Sequence, residues 1–275
     1  MMSGGSLMQE YYTYAKSQLL NKPQIPIEVM NTSAAVFQAI ADEMIAIIME
    51  KAKRREPCLL ICPVGPIGHY PYFVKRVNEE RICLSHVWMV NMDEYLTQEK
   101  QWISLAHPLS FRGFMEREVY KKIKPELNVP AEQRFFPDPN RLSQIPEIIA
   151  HLGGVDAVFG GIGLNGHVAF NEPQPELSAG EFINLKTRIC LIAAETRACN
   201  AMGDFYGRLE EMPQFCVTVG MKEIYGASKI RLAVFRPWHS AVLRRAAHGA
   251  YSSAFPVSLL QTHADTIIRI PQTIL

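Results

Sequence analysis

The sequence lacks the features typical of membrane proteins and of nucleic-acid-binding proteins. No run of about eighteen apolar residues is present, so no transmembrane helix is predicted. The formal net charge is only +1 and no long lysine or arginine block occurs, which gives no electrostatic reason to expect nucleic acid or a membrane surface as a partner. Residues 1–9 show neither the basic nor the apolar region of a signal peptide. We therefore expect a cytoplasmic protein that acts on a small molecule.

The cysteines lack a pattern that would indicate a metal or a disulfide framework. All 6 are scattered, mostly within apolar segments, without paired spacing. We expect them to be reduced, and we assign no metal.

The chain does contain the alternating pattern of a single α/β domain. It has 275 residues, of which 48% are hydrophobic and 20% charged, enough for a large core. Strands are predicted at 59–62, 87–91, 155–160, 187–192, 215–219, 231–235 and 266–270. Helices are predicted at 34–54, capped by Thr32 or Ser33, and at 70–78. This order favours a doubly wound, largely parallel sheet with helices on both faces over residues 31–275, after an irregular extension over residues 1–30.

One glycine-rich loop, residues 163–173, carries the strongest chemical signal. It places the imidazole of His167 and the carboxylate of Glu172 five residues apart. The loop follows the predicted strand 155–160, and ligands of open α/β sheets bind beyond the carboxyl ends of strands. The segment therefore predicts an active site.

A second polar cluster, Asn91–Tyr95, follows the predicted strand 87–91. Adjacent residues of a strand point to opposite sides. Beyond the strand, however, one of the two acids, Asp93 or Glu94, can turn into a cleft while the other bonds to backbone or solvent. A solvated turn is the alternative interpretation. If the two strands are parallel neighbours, this cluster and the 163–173 loop converge.

A third segment is the turn-rich stretch Pro63–Gly68. It lies between the predicted strand 59–62 and the predicted helix 70–78. A loop of this kind between a strand and a helix is a candidate ligand cradle.

Together these segments resemble the glucosamine-6-phosphate deaminase family. The similarity runs from about Ala34 to Pro271 and includes Asn91–Tyr95, residues 163–173, and the shorter segments 195–197 and 218–220. The 6-phosphogluconolactonases share a Gly-x-Gly-x-x-Gly-His loop, but the Asn-Met-Asp-Glu-Tyr and Phe-Asn-Glu-Pro segments fit the deaminases better. The resemblance implies a Rossmann-like α/β fold, no cofactor, and an assembly that ranges among members from a monomer to a homo-oligomer.

The resemblance also implies a reaction, the isomerisation of an aldose to a ketose coupled to loss of ammonia. His167 would help to open the sugar ring, Asp93 would move a proton from C2 to C1, and Glu172 would orient the imidazole. A proton next to a carbonyl needs a positioned base, and an imidazole titrates near neutrality. Glu94 and Gly166, which lie in the same motifs, are expected to bind the substrate.

The residue two positions before the loop histidine departs from the family pattern. It is Asn165, where the family carries an aspartate, so His167 has one carboxylate neighbour fewer and its charged form is less favoured. Because an amide can still hydrogen-bond to the ring, we expect an altered pH dependence or slower ring opening.

The residues expected to bind the sugar phosphate differ as well. The family's Thr-Gly-Gly-Thr loop is Val64-Gly65-Pro66-Ile67 here, which removes one N–H group and both hydroxyls. The family's phosphate-binding arginine and lysine fall at Met202 and His239. Side chains that could rebuild an anion site are Arg236, His239, His69 and Arg112.

Three functions remain open from the sequence. The first is a deaminase or isomerase for an amino-sugar phosphate with an altered phosphate site. The second is an isomerase or hydrolase for another sugar, sugar acid or sugar phosphate, with the phosphate left open. The third is a sugar sensor without catalysis, against which stands the absence of a DNA-binding helix-turn-helix or basic arm.

Overall fold

A seven-stranded parallel sheet forms the centre of the protein. The structure, a computed structural model, describes residues 9–275. The strands of the central sheet are β1 (Ile27–Met30), β2 (Cys58–Cys62), β3 (Val87–Asn91), β5 (Arg134–Phe135), β6 (Ala157–Gly160), β9 (Ile230–Ala233) and β10 (Thr266–Pro271). Their spatial order is β1-β10-β9-β6-β2-β3-β5, and every pair is parallel. The predicted doubly wound, largely parallel sheet is confirmed.

A second, smaller sheet is antiparallel. It contains β4 (Asp93–Leu96), β7 (Arg188–Leu191) and β8 (Phe215–Thr218) in the order β4-β8-β7. Two predicted strands, 187–192 and 215–219, therefore exist, but they lie outside the parallel sheet to which they were assigned. Strand β4 was not predicted.

The helices cover the central sheet. They are α1 (Lys16–Leu19), α2 (Ser33–Arg54), α3 (Tyr70–Glu79), α4 (Phe111–Met115), α5 (Gln144–Leu152), α6 (Ala179–Ile183), α7 (Ala194–Asp204), α8 (Met221–Tyr225) and α9 (His239–His248). The longest, α2, begins where the Thr32 hydroxyl accepts a hydrogen bond from the Ala35 N–H at 3.1 Å. It ends at Arg55, whose φ of 56° is left-handed. Among the residues described, none of the helices is long and apolar enough to cross a membrane.

Alternate residues of β2 show that both faces of the sheet are buried. Leu59 and Ile61 belong to one apolar cluster, whereas Cys58, Leu60 and Cys62 belong to another on the opposite face. Such burial on both faces is typical of parallel sheets with helices on each side.

The segment before residue 31 is more ordered than its sequence indicates. Residues 27–30 pair with β10 as an edge strand, and Leu19 and Ile25 are fully buried. The prediction of an irregular extension through residue 30 is therefore wrong for this part, because these apolar side chains complete the core. Residues 1–8 of that prediction lie outside the described residues.

The sheet order brings the three candidate segments together. Strands β6, β2 and β3 are neighbours, and each is followed at its carboxyl end by one of the segments. The Met92 N–H donates to the Cys62 carbonyl at 3.0 Å, which ties the end of β3 to the end of β2. A shared cleft at this edge follows from the topology.

Candidate active site

A cavity of about 640 Å³ lies at these strand ends, within the range of roughly 300–1,000 Å³ common for small-molecule sites. The predicted site residues that line it are Gly65, Pro66, Ile67, Asp93, His167, Arg236 and His239. The predicted site residues that do not line it are Glu94, Asn165, Gly166, Glu172 and Met202.

The His167 imidazole is held in one tautomer by Asn165. The amide nitrogen of Asn165 donates to Glu172 at 2.7 Å and to Glu195 at 3.0 Å, so its carbonyl oxygen faces the ring. That oxygen lies 2.8 Å from His167 Nδ1. Because a carbonyl oxygen only accepts hydrogen bonds, Nδ1 carries the hydrogen, and Nε2 of the neutral ring is free to accept a proton.

Glu172 lies behind the imidazole, away from the cavity. Its Oε2 atom is 3.4 Å from His167 Nδ1 and also accepts a hydrogen bond from the Thr196 hydroxyl at 3.2 Å. Burial raises the pKa of Glu172, but the hydrogen bond and charge of His167 and the hydrogen bonds of Asn165 and Thr196 outweigh it and lower the pKa overall. Glu172 therefore stays ionised.

The two adjacent acids have different surroundings. Asp93 is buried and lines the cavity, and its carboxylate accepts no hydrogen bond from the described residues. Burial, reinforced by the nearby charge of Glu94, raises the pKa of Asp93 well above its ordinary value. A carboxylate that faces the cavity and has a raised pKa is suited to accept a proton.

Glu94 points away from the cavity and stabilises the start of α4. It accepts hydrogen bonds from the Ser110 hydroxyl at 3.0 Å and from the N–H groups of Phe111 and Arg112 at 3.0 and 2.9 Å. The Arg112 guanidinium completes an ion pair at 3.3 Å. The expectation that Glu94 binds substrate is therefore corrected, because alternation along β4 turns its side chain into the protein.

Two glycines of the 163–173 loop are fixed by close contacts. A Cβ atom at Gly163 would overlap the His167 ring, and one at Gly166 would overlap the ring of Phe255. Gly166 also has a φ of +84°, which other residues rarely adopt. Gly166 therefore shapes the loop. Contrary to the expectation that it binds the substrate, it does not line the cavity.

The loop after β2 presents an apolar surface to the cavity. Val64, Pro66 and Ile67 line it, together with Phe37 and Phe235, whose rings stack with centroids 4.2 Å apart. The predicted ligand cradle thus forms part of the cavity, but its side chains offer no hydrogen-bond donor.

The cationic side chains considered for a rebuilt anion site are mostly engaged elsewhere. Arg112 pairs with Glu94 and stacks over Trp102 at 4.3 Å, outside the cavity. His69 is fully buried, and burial lowers its pKa to about 3. Neither residue can serve as a cation for a ligand.

His239 lines the cavity as a neutral residue. Its Nδ1 accepts the Arg236 N–H at 2.9 Å, so Nε2 is the nitrogen that donates to the Ile162 carbonyl, also at 2.9 Å. Burial lowers the pKa of His239 to about 4. The ring therefore joins two cavity loops, and Met202, at the other family cation position, is 76% exposed outside the cavity.

Sequence comparison places the chain among known enzymes. It is 33% identical over 234 residues to the glucosamine-6-phosphate deaminase of Porphyromonas gingivalis strain W83, covering 83% of this chain and 84% of that protein. The chain belongs to the glucosamine-6-phosphate deaminase family. Another member, the glucosamine-6-phosphate deaminase of Borrelia garinii subsp. bavariensis, is 30% identical over 220 residues, covering 78% of this chain and 77% of that protein. No protein-family model matches the chain.

Solved structures show the same fold. A monomeric glucosamine-6-phosphate deaminase matches with a TM-score of 0.79 and 23% identity, covering 91% of this chain and 98% of the other. A 6-phosphogluconolactonase from Shewanella baltica matches with a TM-score of 0.63 and 14% identity, covering 90% and 97%. The predicted resemblance to the deaminases is confirmed, and the lactonase structure has the same fold.

One face of α7 contributes residues to the cavity that were not predicted as site residues. Thr196, Cys199, Asn200 and Asp204 all line the cavity. The Asn200 amide donates to the Tyr95 hydroxyl at 3.0 Å, and Asp204 pairs with Arg236 at 3.0 Å. Their spacing of three and four residues is the available signal, since such residues share one side of a helix.

Proposed function

We propose that the protein converts a 2-amino aldose into a ketose and releases ammonia. The name of its relatives, glucosamine-6-phosphate deaminase, supports the loss of ammonia from an amino sugar. The observation that carries this proposal is the pairing, in one cavity, of a buried carboxylate, which accepts no hydrogen bond from residues 9–275, with an imidazole whose tautomer is fixed. The first group is suited to take a proton from carbon, and the second to move a proton between oxygens.

Ring opening is assigned to His167. Its unprotonated Nε2 accepts the proton of the O1 hydroxyl, and the resulting imidazolium returns a proton to the ring oxygen as the C1–O5 bond breaks. Asn165 and Glu172 act as positioning residues: the amide fixes the tautomer, and the ionised Glu172 stabilises the transient positive charge of the ring.

The isomerisation is assigned to Asp93. Its carboxylate removes the proton from C2 of the open-chain sugar, and the electron pair of that bond forms a C1–C2 double bond while the π pair of the C1 carbonyl moves to O1, which takes a proton from water. Asp93 then returns its proton to C1 as the lone pair of the nitrogen forms a C2–N double bond, which leaves a protonated imine at C2 and a hydroxyl group at C1. Water adds to the imine and ammonia leaves, which gives the ketose. Burial makes the Asp93 carboxylate a stronger base for the first step.

The remaining cavity residues are proposed to receive the far end of the sugar. Gly65, Pro66 and Ile67 would contact the C6 end from one side, and Arg236 and His239 would close it from the other. These contacts replace the phosphate-binding set of the family and constitute an altered site.

Ammonia release in D₂O tests the proposal. The protein is incubated with glucosamine 6-phosphate, glucosamine and other amino sugars, while ammonia is measured by a coupled assay and deuterium at C1 of the product by NMR. We expect ammonia to be released and C1 of the product to contain some deuterium. The reason is that the proton held by Asp93 exchanges in part with solvent before it is transferred to C1. Absence of both signals with every sugar would contradict the proposed function.

The pH dependence of kcat should reveal the raised pKa of Asp93. The base must be ionised, so activity is present above this pKa and is lost as the pH falls through it. We expect the acid limb well above the roughly 3.9 of an ordinary aspartate. Glu172 cannot account for such a limb, because its pKa is lowered. Because ring opening also requires an unprotonated His167, the profile is repeated with a linear 2-amino aldose that lacks the C4 and C5 hydroxyls and cannot cyclise, so that only the step assigned to Asp93 remains. Circular dichroism over the same range controls for unfolding, and an acid limb near pH 4 in a folded protein would refute the assignment.

A further inference from the structure

The part of the cavity next to α3 is poorly equipped to bind an anion. Helix starts bind phosphate through free backbone N–H groups. Here Pro66 and Pro71 have no N–H, and the Tyr70 N–H already donates to the Ile67 carbonyl at 3.1 Å. The His69 ring, at the N-cap of α3, is neutral and buried. At positions 66, 70 and 71 the N–H donors that this loop and helix start could offer to a phosphate are therefore missing or engaged, and no side chain of the loop replaces them.

The side chains around this loop are apolar. Phe37, Val64, Ile67, Phe114 and Phe235 all line the cavity there. Placing a dianion against them would remove its hydration without supplying hydrogen bonds, which is costly. An uncharged hydroxymethyl group or a small apolar substituent would instead bury apolar surface against these side chains, which favours binding.

The charges of the cavity also oppose a dianion. Of the lysine and arginine side chains that the structure describes, Arg236 alone lines the cavity, and it already pairs with Asp204 at 3.0 Å. Its guanidinium lies so close to the backbone at Gly203 that a Cβ atom there would overlap it. Asp93 adds a second carboxylate. Two carboxylates and one arginine attract an ammonium group and repel a phosphate.

From these observations we infer that the substrate is an amino sugar without phosphate, uncharged at C6. The inference rests on the proposed function and names its substrate class. The cationic 2-amino group suits the excess of carboxylates, and the apolar loop suits the neutral C6 end. The Arg236–Asp204 pair then acts as a specificity element, because Asp204 keeps the arginine from a phosphate.

Competing substrates test the inference with the wild-type protein. The value of kcat/KM is measured for glucosamine, its 6-O-methyl ether and glucosamine 6-phosphate. We expect kcat/KM for both sugars without phosphate to exceed that for the phosphate by about tenfold or more, since even one charge-assisted hydrogen bond changes affinity by that factor. Equal or better turnover of the phosphate would overturn the inference while leaving the proposed function intact. No turnover of any of the three would overturn both.

A charge variant tests the role of the ion pair. Asp204→Asn releases Arg236 and removes one negative charge, so the kcat/KM ratio of phosphate to neutral sugar should rise about tenfold. The matched control is Glu147→Gln, which breaks the exposed ion pair with Arg141, two residues that do not line the cavity, and should leave the ratio unchanged. The same ratio in Asp204→Asn and wild type would overturn the role assigned to this pair.

Discussion

Replacing Asp93 with asparagine is expected to lower kcat by about 10²–10⁴-fold, the usual contribution of a general base. The substitution removes the base but almost no volume, so the affinity for the sugar should change little. Loss of C2 proton abstraction is measured directly, as the disappearance of solvent deuterium exchange in the product or in recovered substrate.

The same variant should not be less stable than the wild type at pH 7. Because the pKa of Asp93 is raised in the folded protein, the ionised carboxylate costs stability above that pKa, and this cost vanishes as the pH falls below the pKa of the unfolded chain. Asp138→Asn, at a position that does not line the cavity, is the control. Unchanged turnover in a folded Asp93→Asn protein would show that another group is the base.

Whereas Asp93→Asn should lower kcat without loss of stability, Glu94→Ala, at the neighbouring acid, should lower the stability of the protein. It leaves the largely buried Arg112 without its carboxylate and the N–H groups of Phe111 and Arg112 without their acceptor. Removing one partner of a buried pair typically costs about 3–5 kcal/mol. We expect a loss of that size in the free energy of unfolding, measured by urea denaturation.

Glu147→Ala provides the comparison for Glu94. Its ion pair with Arg141 is exposed, so its loss should cost at most about 1 kcal/mol. If Glu94→Ala were as mild as this control, the stabilising role of Glu94 would be contradicted. If it lost activity at full stability, Glu94 would instead belong with the catalytic groups.

The central sheet could be predicted because its strands alternate with helices and are apolar on both faces. The small antiparallel sheet could not, since 187–192 and 215–219 have the same apolar pattern as the parallel strands. Strand direction is decided by which segment each strand pairs with, and for β8 those partners are β4 and β7. Strand β1 was missed because Glu28 interrupts its apolar residues and because all four residues of this edge strand are only partly buried.

The candidate site was predicted where motif and strand end coincide, as at Asp93 and His167. Prediction was weaker for side chains whose direction depends on packing. Glu94 turns inward, and His69 is buried without charge. The cavity face of α7 was not predicted, because nothing local shows that this helix lies across the strand ends.

That helix connects the two ends of the cavity mechanically. Thr196 contacts the carboxylate behind the imidazole, Asn200 holds Tyr95, and Asp204 holds Arg236, at intervals of four residues. Since a helix moves as a stiff rod, a rotation that adjusts its last turn to a new sugar also displaces its first turn. Under the proposed function, a substitution in α7 that changes which sugar is accepted would therefore also alter the rate of ring opening.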